Sequence, residues 1–189
     1  MRCIAITLPD FVENEAEAIT RMLRSGVIDR VHIRKPSSTL RHMQRLIEAM
    51  PADLRPQLSL HDHHTLASVY GCGVHLNARN PDITPGFHGT VSRSCHTPEE
   101  ARDTDDYHFL SPIFDSISKP GYRPAFTPDQ LRGIVDDSFV ALGGVTPDKL
   151  PMLKQIGFGG AAFLGYIWHG DLEENLSDIK HFTQQCFNS

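Results

Sequence analysis

His96 is the residue whose type and setting best suit proton transfer. It closes the segment Arg93-Ser94-Cys95-His96, directly before the helix-start signal Thr97-Pro-Glu-Glu. An imidazole titrates near neutrality, as a general acid or base should. A capping or surface histidine would have the same spacing, so spacing alone leaves both roles open. Two further runs suggest what a proton transfer would act on. Phe139-Val-Ala-Leu-Gly-Gly-Val145 and Gly159-Gly-Ala-Ala-Phe-Leu-Gly165 are apolar, too short for a buried helix, and reach glycine where a strand would open into a loop. Glycine lets backbone approach a ligand closely and frees N–H groups to face an anion. Gly143, Gly144, Leu164 and Gly165 are therefore candidate phosphate contacts, with relief of crowding at a turn as the competing explanation.

Other polar residues gather at similar run ends. His32 and Arg34 share a face by strand alternation, which suits a polar interior near a binding mouth. The hydroxyl-rich stretch Phe114–Tyr122 carries Ser116, Ser118 and Lys119, donors able to close over an anion. The cluster His61-Asp62-His63-His64, with His75 near it, offers imidazole and carboxylate metal ligands. Successive strand residues face opposite ways, so only part of it can converge. The preferred reading turns His61 or Asp62 to the pocket and lets His63 and His64 begin a helix.

Eight short apolar runs would position these groups: Arg2–Thr7, Asp29–Lys35, Gln57–Asp62, Gly73–Asn77, Thr90–Cys95, Tyr107–Ile113 and the two glycine-tipped runs. Helical patterns fall between them at Glu13–Ser25, Thr39–Met50, Thr65–Tyr70, Pro98–Asp103, Pro128–Val135 and Pro147–Ile156, with a last one from Leu172 to about Cys186. Pro81–Pro85 is too short and proline-rich for a normal helix. The alternation predicts a parallel sheet with right-handed crossovers, and eight units favour closure. The expected fold is α/β: a single compact (βα)8 barrel over 1–189, with one short or missing helix after strand 4. In such a barrel the loops after strands seven and eight commonly cradle phosphate, and chemistry sits at the C-terminal strand ends.

Bulk composition narrows the classes. A formal net charge of −5 gives no basic face for nucleic acid. Four scattered cysteines form no Cys-x-x-Cys, which argues against a zinc ribbon or disulfide framework and for a cytoplasmic setting. The N-terminal apolar run stops at Pro9, too short for a signal peptide, and no run is long enough to span a membrane. No Gly-x-Gly-x-x-Gly follows the first run, which weakens a dinucleotide reading.

An ordered set of motifs then resembles a known family. Val31-His-Ile-Arg34, Leu60-His-Asp62, Gly73-Val-His-Leu76, Arg93-Ser-Cys-His96 with Thr97-Pro-Glu-Glu-Ala101, Ser111-Pro-Ile-Phe114 with Ser118-Lys119, and Ala141-Leu-Gly-Gly-Val145 occur in the order seen in the thiamine phosphate synthase/TenI superfamily. The resemblance runs from Ile4 to about Gly165. It implies a βα-barrel of thiamine biosynthesis acting on a small phosphorylated thiazole, with phosphate at Gly144 and Gly165. Small barrels of this kind often pair, so the resemblance leaves both a monomer and a homodimer open.

Departures from the synthase pattern bear on activity. The resemblance implies Gln-x-Arg-Glu-Lys on strand two, Asn-Asp after strand three and an acidic pair after strand four. Here the lysine position holds Pro36, the Asn-Asp position reads His61-Asp62, and the acidic pair falls on Arg79-Asn80. Lys35 and Asp82 are the nearest substitutes. The favoured expectation is thiazole tautomerase, needing no metal, with His96 moving the proton, Arg34 steadying the carboxylate, and His32, His61 and Ser94 lining the site. The alternative is a thiamine phosphate synthase that joins hydroxymethylpyrimidine pyrophosphate to thiazole phosphate with Mg²⁺ on Asp62. A third possibility is a barrel that binds thiazole or thiamine phosphate without turnover.

Overall fold

A computed structural model describes residues 1–115 and 126–186 of the chain. Strands β1 (Arg2–Ile6), β2 (Arg30–Ile33), β3 (Leu58–Leu60), β4 (Gly73–Leu76), β5 (Val91–Cys95), β6 (Tyr107–Leu110), β7 (Phe139–Ala141) and β8 (Gly160–Phe163) close a barrel in sequence order. Every neighbouring pair is parallel, including β1 with β8. All strands therefore deliver their C-terminal ends to one rim.

Helices α1 (Glu15–Arg24), α2 (Leu40–Glu48), α3 (Thr65–Tyr70), α4 (Leu150–Ile156) and α5 (Leu172–Gln185) pack outside. Thr39 caps α2 by accepting from the His42 amide, and Asp171 caps α5 by accepting from the Glu173 and Glu174 amides. These contacts satisfy amides that a helix start leaves unpaired. The C-terminal segment lies on the barrel, with Leu176 and Ile179 buried in the outer core.

Two expected helices are much shorter. Pro98–Asp103 yields only a 3-10 turn, Pro98–Glu100, because Ala101 is extended and the Arg102 amide donates to His108 Nε2. Pro128–Val135 yields a 3-10 turn, Pro128–Leu131, and Gly133 at φ 77° comes next in the left-handed region. Between β4 and β5 the described chain forms no helix, and an Asn77–Asn80 bridge closes the turn. No helix among the described residues is long and apolar enough to cross a membrane.

Two shells of side chains fill the structure. The outer shell, between strands and helices, includes Ile19, Met22, Ile47, Leu153 and Phe163. The barrel interior holds Ile4, Ile6, Tyr107, Phe109, Val140 and Ala162, with Leu142 and Leu164 against them. Its β2–β5 side is polar, with His32, Ser59, His75 and Ser92 fully buried. The ring centroids of His32, His75 and Phe109, from alternate strands, lie 4.6–5.1 Å apart. That is the layered filling by alternate strands expected in this architecture.

Candidate functional site

Parallel closure brings His96, Arg34, His61, Asp62, Gly143, Gly144, Leu164 and Gly165 to the same end of the barrel. Hydrogen bonds stitch three of the rim loops together. The His96 ring donates from Nδ1 to the Ser111 carbonyl at 3.1 Å. The Ile113 amide donates to Leu142 O at 3.0 Å and the Phe114 amide to Gly143 O at 3.1 Å. The proton-transfer candidate and the diglycine are thus joined through the loop after β6. Ser116, Ser118 and Lys119 lie outside the described residues.

The diglycine turn requires glycine. Gly143 and Gly144 have φ of 96° and 61°, a region that L side chains rarely adopt. A Cβ on Gly144 would also collide with Asp115 O and Phe114. Among the described residues, neither glycine amide donates to a backbone acceptor. Lys149 stands beside the turn, donating from Nζ to Gly144 O at 2.7 Å and lying 4.4 Å from the Phe114 ring centroid. Amides free to face an anion, with a fixed cation close by, suit a phosphoryl group. Gly165 contributes differently, with φ −63° and open space around it, and Leu164 packs on the barrel interior.

Across the mouth, Asp62 accepts from Arg79 at 3.1 Å and from Asn80 Nδ2 at 3.3 Å, both on Oδ1. Its Oδ2 is buried without a partner among the described residues. The Arg34 amide donates to Thr7 Oγ1, while its guanidinium pairs with no other described residue. Arg34 and Arg79 both act electrostatically on His61. Positive charge therefore lies on one side of a carboxylate whose other oxygen has no partner among the described residues.

Below this rim lies a buried histidine set. His32 Nδ1 is 2.9 Å from His61 Nε2, and His32 Nε2 is 2.6 Å from the Tyr107 hydroxyl. His75 meets Ser92 Oγ at 2.9 Å through Nδ1 and Ser94 Oγ at 2.8 Å through Nε2. Burial first, then neighbouring positive charge, lowers all three imidazoles: His32 and His61 fall well below their ordinary value and His75 to about 3. His32, expected to touch substrate, is instead sealed in the barrel with both ring nitrogens engaged, and reaches the mouth only through His61. Ser94 likewise holds His75, although it also borders the groove beside His96.

His96 is exposed on the wall of that groove, which has a volume of about 470 Å³ and is lined by Asn77, Arg93, Ser94 and Glu99 among others. The volume suits a small ligand. With Nδ1–H donated to Ser111 O, the neutral ring presents its Nε2 lone pair for proton transfer.

Of the two suggested substitutes, Lys35 does not serve the mouth. It is fully buried just beyond the end of β2, donating to Leu8 O, Asp10 O and Glu15 Oε1 at 2.6–2.8 Å. Alternation explains this, because Lys35 has the opposite parity to His32 and Arg34. Asp82 is exposed in the loop after β4 and makes no ion pair with a described residue. Sequence reasoning misses Tyr107 and Ser92 as partners of the histidines, and Arg79 as a partner of Asp62. Inward parity on β5 and β6 is the available signal for the first two.

Similarity to known proteins agrees with this geometry. A family model described as "Thiamine monophosphate synthase" matches residues 3–167. Thiamine-phosphate synthase of Levilactobacillus brevis is 27% identical, covering 87% of this chain and 85% of that protein. The enzyme of the same name from Natronomonas pharaonis is 28% identical, covering 90% and 85%. Among solved structures, a thiamine phosphate pyrophosphorylase from Bacteroides thetaiotaomicron superposes with a TM-score of 0.86 at 32% identity, covering 97% of this chain and 98% of that one. One from Pyrococcus furiosus gives 0.78 at 18% identity, covering 98% and 96%, a likeness of fold alone. The family match takes in every strand of the barrel but for Arg2, together with His61-Asp62, His96 and the diglycine turn, so the chain belongs to the thiamine monophosphate synthase family.

Proposed function

We propose that this chain is an enzyme of thiamine biosynthesis that joins hydroxymethylpyrimidine pyrophosphate to thiazole phosphate and releases pyrophosphate. The observation that carries this reading is the charge arrangement at the mouth: Asp62 is paired with Arg79 and keeps one buried oxygen without a partner among the described residues, and Arg34 acts on the adjacent His61. Relatives bearing the synthase name over most of both chains support it.

A departing pyrophosphate is stabilised by cations placed before the reaction begins. Arg34 and Arg79 supply two. Magnesium, implied by the family resemblance, is tested by the Asp62 carboxylate: Oδ2 is buried and lacks a partner among the described residues, which fits a cation. Magnesium often binds through one or two carboxylates while keeping several waters, so Asp62 suffices as the protein ligand. When bound, the ion would neutralise charge on the leaving group. The diglycine turn and Lys149 hold the thiazole phosphate, and Ser111 and Phe114 keep that turn beside the His96 loop.

The test is release of pyrophosphate by purified protein given both substrates, with Mg²⁺ or with EDTA. Magnesium-dependent release is expected, and its absence would overturn the synthase reading. A second reading, thiazole tautomerase, is favoured by His96 on the groove wall, whose Nε2 has no partner among the described residues. It predicts metal-independent aromatisation of the thiazole phosphate carboxylate, falling by about 10²–10⁴-fold in His96→Ala. Under the synthase reading that variant keeps most pyrophosphate release.

A further inference from the structure

We propose that His32, His61 and His75 form a binding site for one divalent transition-metal ion of the zinc class. The set is separate from the carboxylate site assigned to magnesium and uses different chemistry. Hard magnesium takes oxygen ligands, whereas imidazoles suit zinc, cobalt and their neighbours.

Three observations support the assignment. One potential ligand nitrogen from each histidine lies within 4.8 Å of the others, and all three side chains are buried. Three adjacent imidazoles are also an unusual filling beside the cluster of Ile4, Ile6, Tyr107, Phe109, Val140 and Ala162 that shares the barrel interior. Finally, the rings already have outer partners of the kind that orient metal-bound histidine. Tyr107 holds His32 Nε2 and leaves Nδ1 facing His61 Nε2, while Ser92 holds His75 Nδ1.

The adjustment required is small for one pair and larger for the third ring. Nitrogens on a tetrahedral zinc at about 2.0–2.1 Å stand about 3.3 Å apart. His32 Nδ1 and His61 Nε2 are 2.9 Å apart, so this pair opens slightly to admit the ion. His75 stacks on His61 with centroids 4.1 Å apart and planes at 24°. It must turn, exchanging the half-buried Ser94 hydroxyl for the ion while Ser92 remains its outer partner. The three donors are His32 Nδ1, His61 Nε2 and His75 Nε2. Three protein ligands with an open fourth place is the pattern of reactive zinc sites, and four-ligand closure that of structural ones.

The experiment uses the full-length, tag-free protein, stripped with EDTA and titrated with Co²⁺ and then Zn²⁺. One equivalent of Co²⁺ should give visible absorption of four-coordinate intensity, removed stoichiometrically by Zn²⁺. Tyr107→Phe should weaken Zn²⁺ binding by about 10–100-fold. His75→Gln should abolish the band, and His63→Gln should keep it. Wild-type protein that develops no band and retains no zinc overturns the proposal, as does a folded His75→Gln with the wild-type spectrum. If His75→Gln does not fold, the wild-type titration and Tyr107→Phe decide. Pyrophosphate release is read independently, so failure here leaves the synthase assay untouched.

Discussion

Arg79 places its guanidinium 3.1 Å from one oxygen of Asp62 and leaves the other oxygen buried, with no partner among the described residues. The carboxylate is thereby anchored on one side and available on the other. Asp62→Asn keeps the shape, removes the charge and should cost about 10²–10³ in turnover, the scale of losing one preorganised electrostatic contact. Its activation by Mg²⁺ should weaken with it. Arg79→Gln, which leaves Oδ2 unchanged, should retain Mg²⁺ dependence and mainly raise KM for the pyrophosphate substrate. Pyrophosphate release titrated against Mg²⁺ in both variants checks this; an Asp62→Asn curve matching wild type would refute the role.

Lys35 and Glu15 form a buried ion pair at 2.6 Å, with Glu15 Oε2 unpartnered among the described residues. Burial pulls the lysine below and pushes the glutamate above their ordinary values. Breaking such a pair strands a charge and costs about 3–5 kcal/mol, whereas replacing both groups with apolar ones is often neutral. Lys35→Met alone should therefore lower the urea midpoint strongly, and Lys35→Met with Glu15→Leu should recover much of it. Equal losses in the single and double variants would contradict this account.

The barrel is legible in the sequence because a parallel sheet buried on both faces leaves short apolar runs at regular intervals. The loop at Gly143-Gly144 is legible for a related reason, since only glycine readily accepts the φ values found there. Helices on the β5–β7 side are less so. Thr97-Pro and Thr127-Pro are sound starts, but the length of each helix is decided by tertiary contacts such as that of His108 with Arg102. Motif reading also assigns His32 to the substrate, whereas its reach depends on depth in the barrel. Alternation gives the inward parity of His32 and Arg34 but not the layer each occupies, and one layer separates a sealed side chain from a rim one.

Gly144→Ala should be among the most damaging small substitutions at the mouth. It forces a left-handed φ on a residue with a Cβ and drives that Cβ into Asp115 O and Phe114. Strain of this kind costs about 1–3 kcal/mol, and relieving it would move the amides away from the phosphate. The expected result is a folded, modestly destabilised protein whose affinity for thiazole phosphate falls about tenfold or more, in line with losing one charge-assisted hydrogen bond. Calorimetric titration and a thermal melt measure the two effects together. Wild-type affinity in this variant would remove the diglycine turn from the phosphate site.

All four cysteines are buried, and for Cys3, Cys72 and Cys95 burial pushes the thiol up to about 11. The unfolded chain ionises its thiols from about pH 8.5, so above that the unfolded state holds fewer protons than the folded one. Stability is then full below about pH 8.5 and falls as pH rises toward 11, by about 1.4 kcal/mol per pH unit for each thiol inside that window. Urea midpoints should be flat between about pH 7 and 8 and decline steeply by about pH 10. The same burial predicts slow reaction with a thiol-disulfide reagent at about pH 8 until urea exposes the side chains. Rapid modification of the folded protein under those conditions, or a midpoint unchanged in the alkaline range, would show that these thiols are not held neutral by the fold.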